Sequence, residues 1–302
     1  MLLQVLLAGL SAGAVLGLVA MGFSLVAGTV RVFHLAHGDV VVAALFAGAL
    51  GVLGRTPVTT PLETAPALAL VGLTLLAGAA LAGAVAFVVV LPRLGGTGRA
   101  TDPVGLVAGA VAAGLLLRAA LGLAFPQQGY AVPDPLRLSS LTSSGLVDLP
   151  GGTTIPVRTL GVLALATAIA LIAERLLVRS RFGSSLRAVA DDPVAATLSG
   201  IDVRRVVLLA FVATGVLAGC AGLLDAPGRT VSVDDGVVLG LAGVAAALLG
   251  GLGSLRGAVV GGLAVGVLQS LAVHAGGAAL QDIAPLTLLV VLLALRPAGL
   301  RA

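Results

Sequence analysis

Long apolar runs separated by short polar breaks set the pattern of this chain. They cover about residues 1–30, 35–54, 66–91, 103–124, 159–178, 206–224, 237–255, 257–275 and 283–295. An α-helix needs about 20 mainly apolar residues to cross the hydrocarbon core of a bilayer. The runs are continuous and lack the two-residue alternation of lipid-facing strands, which predicts helices rather than a barrel. The expected fold is therefore all-α: an integral membrane protein, a polytopic bundle of about 8–9 transmembrane helices. The count turns on the glycine-rich stretch 249–262, which reads either as a turn between two spans or as a break inside a re-entrant pair. The first run has no basic n-region and continues past any cleavage point, so it reads as a span and not as a signal peptide.

Composition sharpens this picture. Of 302 residues, 59% are hydrophobic and 10% charged, and the mean hydropathy is +1.17. Globular domains are about a quarter charged, so a soluble enzyme, a nucleic-acid binder and a disordered hub are excluded. The pI of about 10.9 does not reinstate a nucleic-acid partner, because arginines gathered at one membrane face produce the same value. All 17 basic residues are arginine. Without lysine the chain supplies neither a Walker A nucleotide site nor a Schiff base. Cys220, the single cysteine, lies in an apolar run and reads as a small buried hydrophobe. No catalytic residue, metal or cofactor is expected on this chain. Abundant Gly and Ala fit close helix packing in lipid.

The arginines set an orientation. Under a nine-span count Arg31, Arg93, Arg99, Arg179, Arg181, Arg187, Arg204, Arg205, Arg256, Arg296 and Arg301 share one side, against Arg55, Arg137, Arg158 and Arg229 on the other. The larger group is expected in the cytoplasm, with the C-terminus inside and the N-terminus outside. The chain reads as one membrane domain, 1–302, with two substantial loops. The external loop, about 126–157, carries a predicted hairpin from Gly145 to Val157 turning at Gly151-Gly152. The cytoplasmic segment, about 179–205, is the more informative. Asp192 is a good N-cap, Pro193 suits the first helical position and Gly200 suits the position just past a helix end. A second short helix carrying Arg187 is expected before it. Val194 and Leu198 share a face, and helices this short need a surface to pack on, either the spans themselves or a partner protein.

The residues 183–202, GSSLRAVADDPVAATLSGID, resemble the cytoplasmic coupling segment of branched-chain amino-acid ABC-importer permeases of the LivH type. Two more stretches agree in the same order. Ala36-His37-Gly38-Asp39 is similar to the family's first-span signature, and residues 249–262, LGGLGSLRGAVVGG, to its late glycine motif. The sequence departs from the usual pattern at His34 (commonly Asn), Asp39 (commonly Glu), Ser184 (commonly basic) and Arg256 (commonly Pro).

The resemblance implies a transport subunit in the bacterial cytoplasmic (inner) membrane. It would pair with a second related permease, two ABC ATPase subunits and a periplasmic or lipid-anchored substrate-binding protein, with ATP and Mg used by the ATPases and membrane lipid around the bundle. The cargo it implies is a branched-chain or related hydrophobic amino acid, the alternatives being a urea or amide, a sugar or a nucleoside. By the same analogy Arg187, Asp192, Val194, Ala196, Leu198, Gly200 and Ile201 would meet the ATPase. The alternative reading of Arg187 is a positive-inside anchor, and Asp192 reads equally as a pure cap. His37, Gly38 and Asp39 are candidates for a helix break or a translocation-path contact, with Gly38 permitting an unusual backbone. Gly251, Gly253 and Gly257 read as close-packing or helix-break positions. Arg118 lies inside an apolar run and is either functional or snorkels to the interface. Asp39, Glu174 and Asp225 fall near predicted span ends, which argues against an ion-coupled carrier with a mid-span carboxylate. Asp225, Asp234 and Asp235 read as external loop charges.

Overall fold

Each of the nine apolar runs forms a helix in the computed structural model, which describes residues 2–31, 34–54, 64–95, 102–125, 129–138, 145–149 and 153–295. The apolar helices are α1 (Leu2–Val30), α2 (His37–Leu53), α3 (Thr64–Val85), α4 (Pro103–Ala124), α5 (Val157–Arg179), α8 (Val203–Asp225), α9 (Asp235–Gly250), α10 (Leu255–Gly276) and α11 (Leu280–Leu295). Two shorter ones, α6 (Arg181–Asp191) and α7 (Pro193–Leu198), occupy the expected cytoplasmic segment. Helix α3 continues through a π-helical turn, Ala86–Val90, and a 3-10 turn, Leu91–Arg93. Six helices are long and apolar enough to cross a membrane, and α2, α9 and α11 are shorter apolar helices.

Among the six long helices α1 and α8 are the most enclosed, while α4 and α5 turn most of their surface outward. The centre is sealed by backbone contact between antiparallel α1 and α10. A methyl group placed on Gly13 would fall 2.7 Å from the Leu263 Cα, and one on Gly266 would overlap Gly13 itself. In lipid, where apolar surface is not expelled by water, such close approach is what holds helices together. Around it pack Leu16, Leu18, Val19, Met21 and Phe23 of α1 with Leu217, Ala218 and Ala221 of α8.

Capping decides where the polar connections begin. Ser180 accepts from the Gly183 amide at 3.0 Å and starts α6. Ser254 does the same for α10 through Gly257 at 3.1 Å. Within the glycine-rich stretch 249–262, residues 251–254 turn between α9 and α10, through Gly251 (φ 87°) and Gly253 (φ 84°), and the rest is helix. Both hold left-handed backbone that side-chain-bearing residues avoid.

Arginines collect at one end of the bundle. Arg31 Nη2 donates to the Ala190 carbonyl (3.0 Å), Arg204 Nη2 to the Leu94 carbonyl (3.5 Å), and Arg256 pairs with Glu174. At the opposite end Arg158 Nη2 donates to the Leu224 carbonyl (2.8 Å), and β1 (Tyr130–Ala131) pairs antiparallel with β4 (Thr230–Val231). The predicted hairpin is present as β2 (Leu146–Leu149) against β3 (Thr153–Pro156). Its turn, Gly151-Gly152, lies outside the described residues, as do Arg55, Arg99, Arg296 and Arg301.

Candidate functional site

Helix α2 does not begin where α1 ends. Arg31, just past the end of α1, has a φ of 55°, and at the start of α2 the His37 ring lies against Gly22 of α1. Eight residues of α1 separate Gly22 from Val30, about 12 Å of rise, so α2 starts deep inside the bundle. His37 stacks edge-on with Phe23 (centroids 4.9 Å) and His34 with Phe211 (5.0 Å), and the His37 amide donates to the His34 carbonyl at 3.0 Å. Both imidazoles are buried among aromatic rings.

Helix α9 begins beside the same point. A methyl on Gly38 would overlap the Gly236 carbonyl oxygen and lie 2.6 Å from the Gly240 Cα. Gly38 is ordinary helical backbone. Its glycine is required by the approach of α9 and not by an unusual backbone, which corrects the sequence expectation. Two short helices therefore bring their N-terminal ends together, and each end carries positive dipole potential.

Asp39, in the first turn of α2, accepts a hydrogen bond from Arg118 Nη2 of α4 at 2.8 Å. It faces Gly114, near the midpoint of α4, where any side chain would overlap the carboxylate. Asp39 is thus a deep carboxylate and not one at a span end as its sequence position suggested. Arg118 turns inward to it and does not snorkel. Asp234, at the start of α9 and 82% exposed, has its carboxylate 3.9 Å from Arg118 Nε, so it belongs to this cluster as well as to the loop. Beside the pair opens a cavity of about 190 Å³ walled by Phe23, Ala36, Val111, Leu115, Val237 and Leu241. Just outside, Arg229 bridges Asp225 and Asp235 and ties the end of α8 to the start of α9. Burial acts against its charge, but the two carboxylates outweigh that and raise its pKa above the usual guanidinium value.

The second group of sequence candidates sits at the arginine-rich end. Asp192 Oδ1 accepts from the amides of Val194 (2.8 Å) and Ala195 (3.3 Å), as expected for an N-cap. Gly200 (φ 82°) ends α7, its amide donating to the Thr197 carbonyl and the Ile201 amide to the Ala196 carbonyl, both at 3.0 Å. That double closure satisfies the last carbonyls of the helix. Ala196 is buried and Ile201 partly buried against α8, Val194 is half-buried, and Leu198 is 85% exposed. Arg187 is exposed and donates weakly to the Leu177 carbonyl (3.4 Å). Gly251, Gly253 and Gly257 lie at this end too. Gly257 packs directly on Gly250, and Gly253 and Arg187 border a cavity of about 450 Å³ between α1, α6 and the α9–α10 turn.

The candidates thus divide in two: His37, Gly38, Asp39 and Arg118 converge at mid-depth, whereas the late glycines join the arginine-rich end. Sequence reasoning missed Asp234 at the deep pair and the Glu174–Arg256 link between α5 and α10. The sequence signal for the latter was Glu174 itself, an acid among the arginines at the end of an apolar run.

A multi-pass helical bundle with interrupted helices meeting at a deep charged pair is the architecture of a membrane transport protein. The family described as "Branched-chain amino acid transport system / permease component" matches residues 5–295, and the chain belongs to it. Over 299 residues it is 25% identical to the "High-affinity branched-chain amino acid transport system permease protein BraD" of Pseudomonas aeruginosa, covering 99% of this chain and 95% of that one. Over 143 residues it is 35% identical to the corresponding permease LivH of Salmonella typhimurium, 46% of each chain. A third relative, the "Autoinducer 2 import system permease protein LsrC" of Klebsiella pneumoniae, is 40% identical over 114 residues, 35% of this chain and 33% of that one.

Proposed function

We propose that this chain is the membrane-spanning permease subunit of an ATP-driven importer of branched-chain or related hydrophobic amino acids in a bacterial cytoplasmic membrane. The observation that carries this reading is the family match across residues 5–295, joined by end-to-end similarity to BraD. A second permease would complete the path, a substrate-binding protein would deliver cargo at the end bearing β1–β4, and two ATPase subunits would work at the arginine-rich end. ATP and Mg belong to those ATPases, and this chain binds no cofactor.

The cytoplasmic segment suits the ATPase contact. Ala196 and Ile201 anchor α7 to the bundle, and Asp192 and Gly200 close its two ends. Leu198 then faces outward with Arg187 and Val194 nearby, giving a partner an apolar knob and a charge to register on. Leu198 is 85% exposed, and in the proposed complex the ATPase would cover it.

Uptake of radiolabelled leucine tests the reading, in vesicles containing the chain with its neighbouring permease, ATPases and binding protein, with and without internal ATP. Leucine accumulation that requires ATP is expected, with little uptake of ribose or urea. Accumulation by this chain alone, driven by an ion gradient, would overturn it.

A further inference from the structure

Resting on the importer reading above, we infer that Asp39 and Arg118 form a charge-exchange site: their ion pair ties α4 to the start of α2 until a zwitterionic cargo replaces it, its ammonium on Asp39 and its carboxylate on Arg118. Charges deep in a membrane protein are costly unless paired. Here they are paired with each other, Nη2 to Oδ1 at 2.8 Å. A ligand carrying both charges exchanges partners without leaving either side chain alone. A neutral polar molecule cannot do so and leaves the pair closed.

Four features around the pair suit that exchange. Arg118 Nε is buried and makes no hydrogen bond among the described residues. A carboxylate can therefore bind the Nε and Nη2 edge in the two-pronged way guanidinium favours. The dipole at the start of α2 favours the Asp39 carboxylate in its first turn and so supports its charge while Arg118 turns to the cargo. Asp234, 3.9 Å from Nε and beyond hydrogen-bond reach, leaves that edge open and adds negative charge for the ammonium. The adjoining cavity of about 190 Å³ offers Phe23, Val111, Leu115 and Leu241 to an aliphatic side chain.

The test uses the complete reconstituted complex and compares the parent with D39E, which keeps both charges, and D39N/R118Q, which removes both and strands neither. Subunit co-purification and ATP hydrolysis stimulated by the binding protein are read beside uptake of leucine, ribose and urea. Leucine uptake is expected to stay within about threefold for D39E and to fall at least about tenfold for D39N/R118Q, a loss of about 1.4 kcal/mol in the cargo step, with assembly and ATP hydrolysis retained. A double variant within about twofold of the parent overturns the inference by the same measure. So does a parent complex that moves ribose or urea and not leucine. Should D39N/R118Q fail to assemble, R118K decides, because it keeps the charge and loses the two-pronged edge: leucine uptake lowered with assembly and ATP hydrolysis retained supports the exchange, and unchanged uptake overturns it. Leucine uptake by the parent without ATP would sink the importer reading alone, and the same variants would still decide the site.

Discussion

The deep crossing of α2 and α9 and the exposed α6–α7 segment are both made of short helix starts, yet they are held by opposite means. At the crossing, Gly38 meets Gly240, Gly114 faces Asp39, and the charges find partners on distant helices. At α6–α7, the ends are closed by residues a few positions away, Ser180, Asp192 and Gly200, and one face stays open to water. Tertiary packing fixes the first region, and local capping fixes the second. A transporter benefits from that division. Under the proposed function, the region that would meet cargo keeps a defined geometry, and the region that would meet the ATPases keeps its shape without burying its exposed face.

Substitutions can break or sharpen this contrast. The largest effect is expected from Gly38→Val, because a side chain there overlaps the Gly236 carbonyl and α9 would have to move. Overpacking of this kind costs about 1–3 kcal/mol or more, read as loss of folded protein in the membrane fraction and a lower detergent melting temperature. Next comes Asp39→Asn alone, which leaves Arg118 without its 2.8 Å partner. It is expected to destabilise more than D39N/R118Q, by about 1–3 kcal/mol, measured as a gap between their melting temperatures. A double variant less stable than the single one would mean that the pair is not coupled.

Smaller effects are expected at the capped segment. Asp192→Ala removes two amide contacts and should cost about 1 kcal/mol locally. Hydrogen exchange of the Val194 and Ala195 amides would speed up while the α1–α10 interface stays protected. The smallest effect on stability is expected from Leu198→Ala, within about 0.5 kcal/mol, as for exposed positions generally. Its effect should appear instead as weaker ATPase co-purification and less ATP-dependent uptake. If Leu198→Ala melts the bundle and leaves ATPase binding unchanged, the open face is structural and the contrast fails.

Much of this was legible in the chain before any contact was known. The nine apolar runs became nine apolar helices because a hydrophobic stretch without water must close its own backbone hydrogen bonds as helix. The caps at Asp192 and Gly200 were readable because a cap is set by residues within a few positions of the end it closes. The glycine run 249–262 was visible as a break, and only its geometry was open. The site was less legible. Asp39 looked like a span-end residue because hydropathy counts positions along the chain and not depth in the bundle.

The sequence by itself determined that the chain is a helical membrane protein and where the caps of α7 fall. These follow from solvation and from hydrogen bonds that close over a few residues. Only the tertiary structure decided that α2 and α9 start at the same depth, and that Asp39 meets Arg118 on a helix 79 positions away. A charge is tolerated inside an apolar bundle when a counter-charge arrives beside it, and which residue arrives depends on how the helices pack.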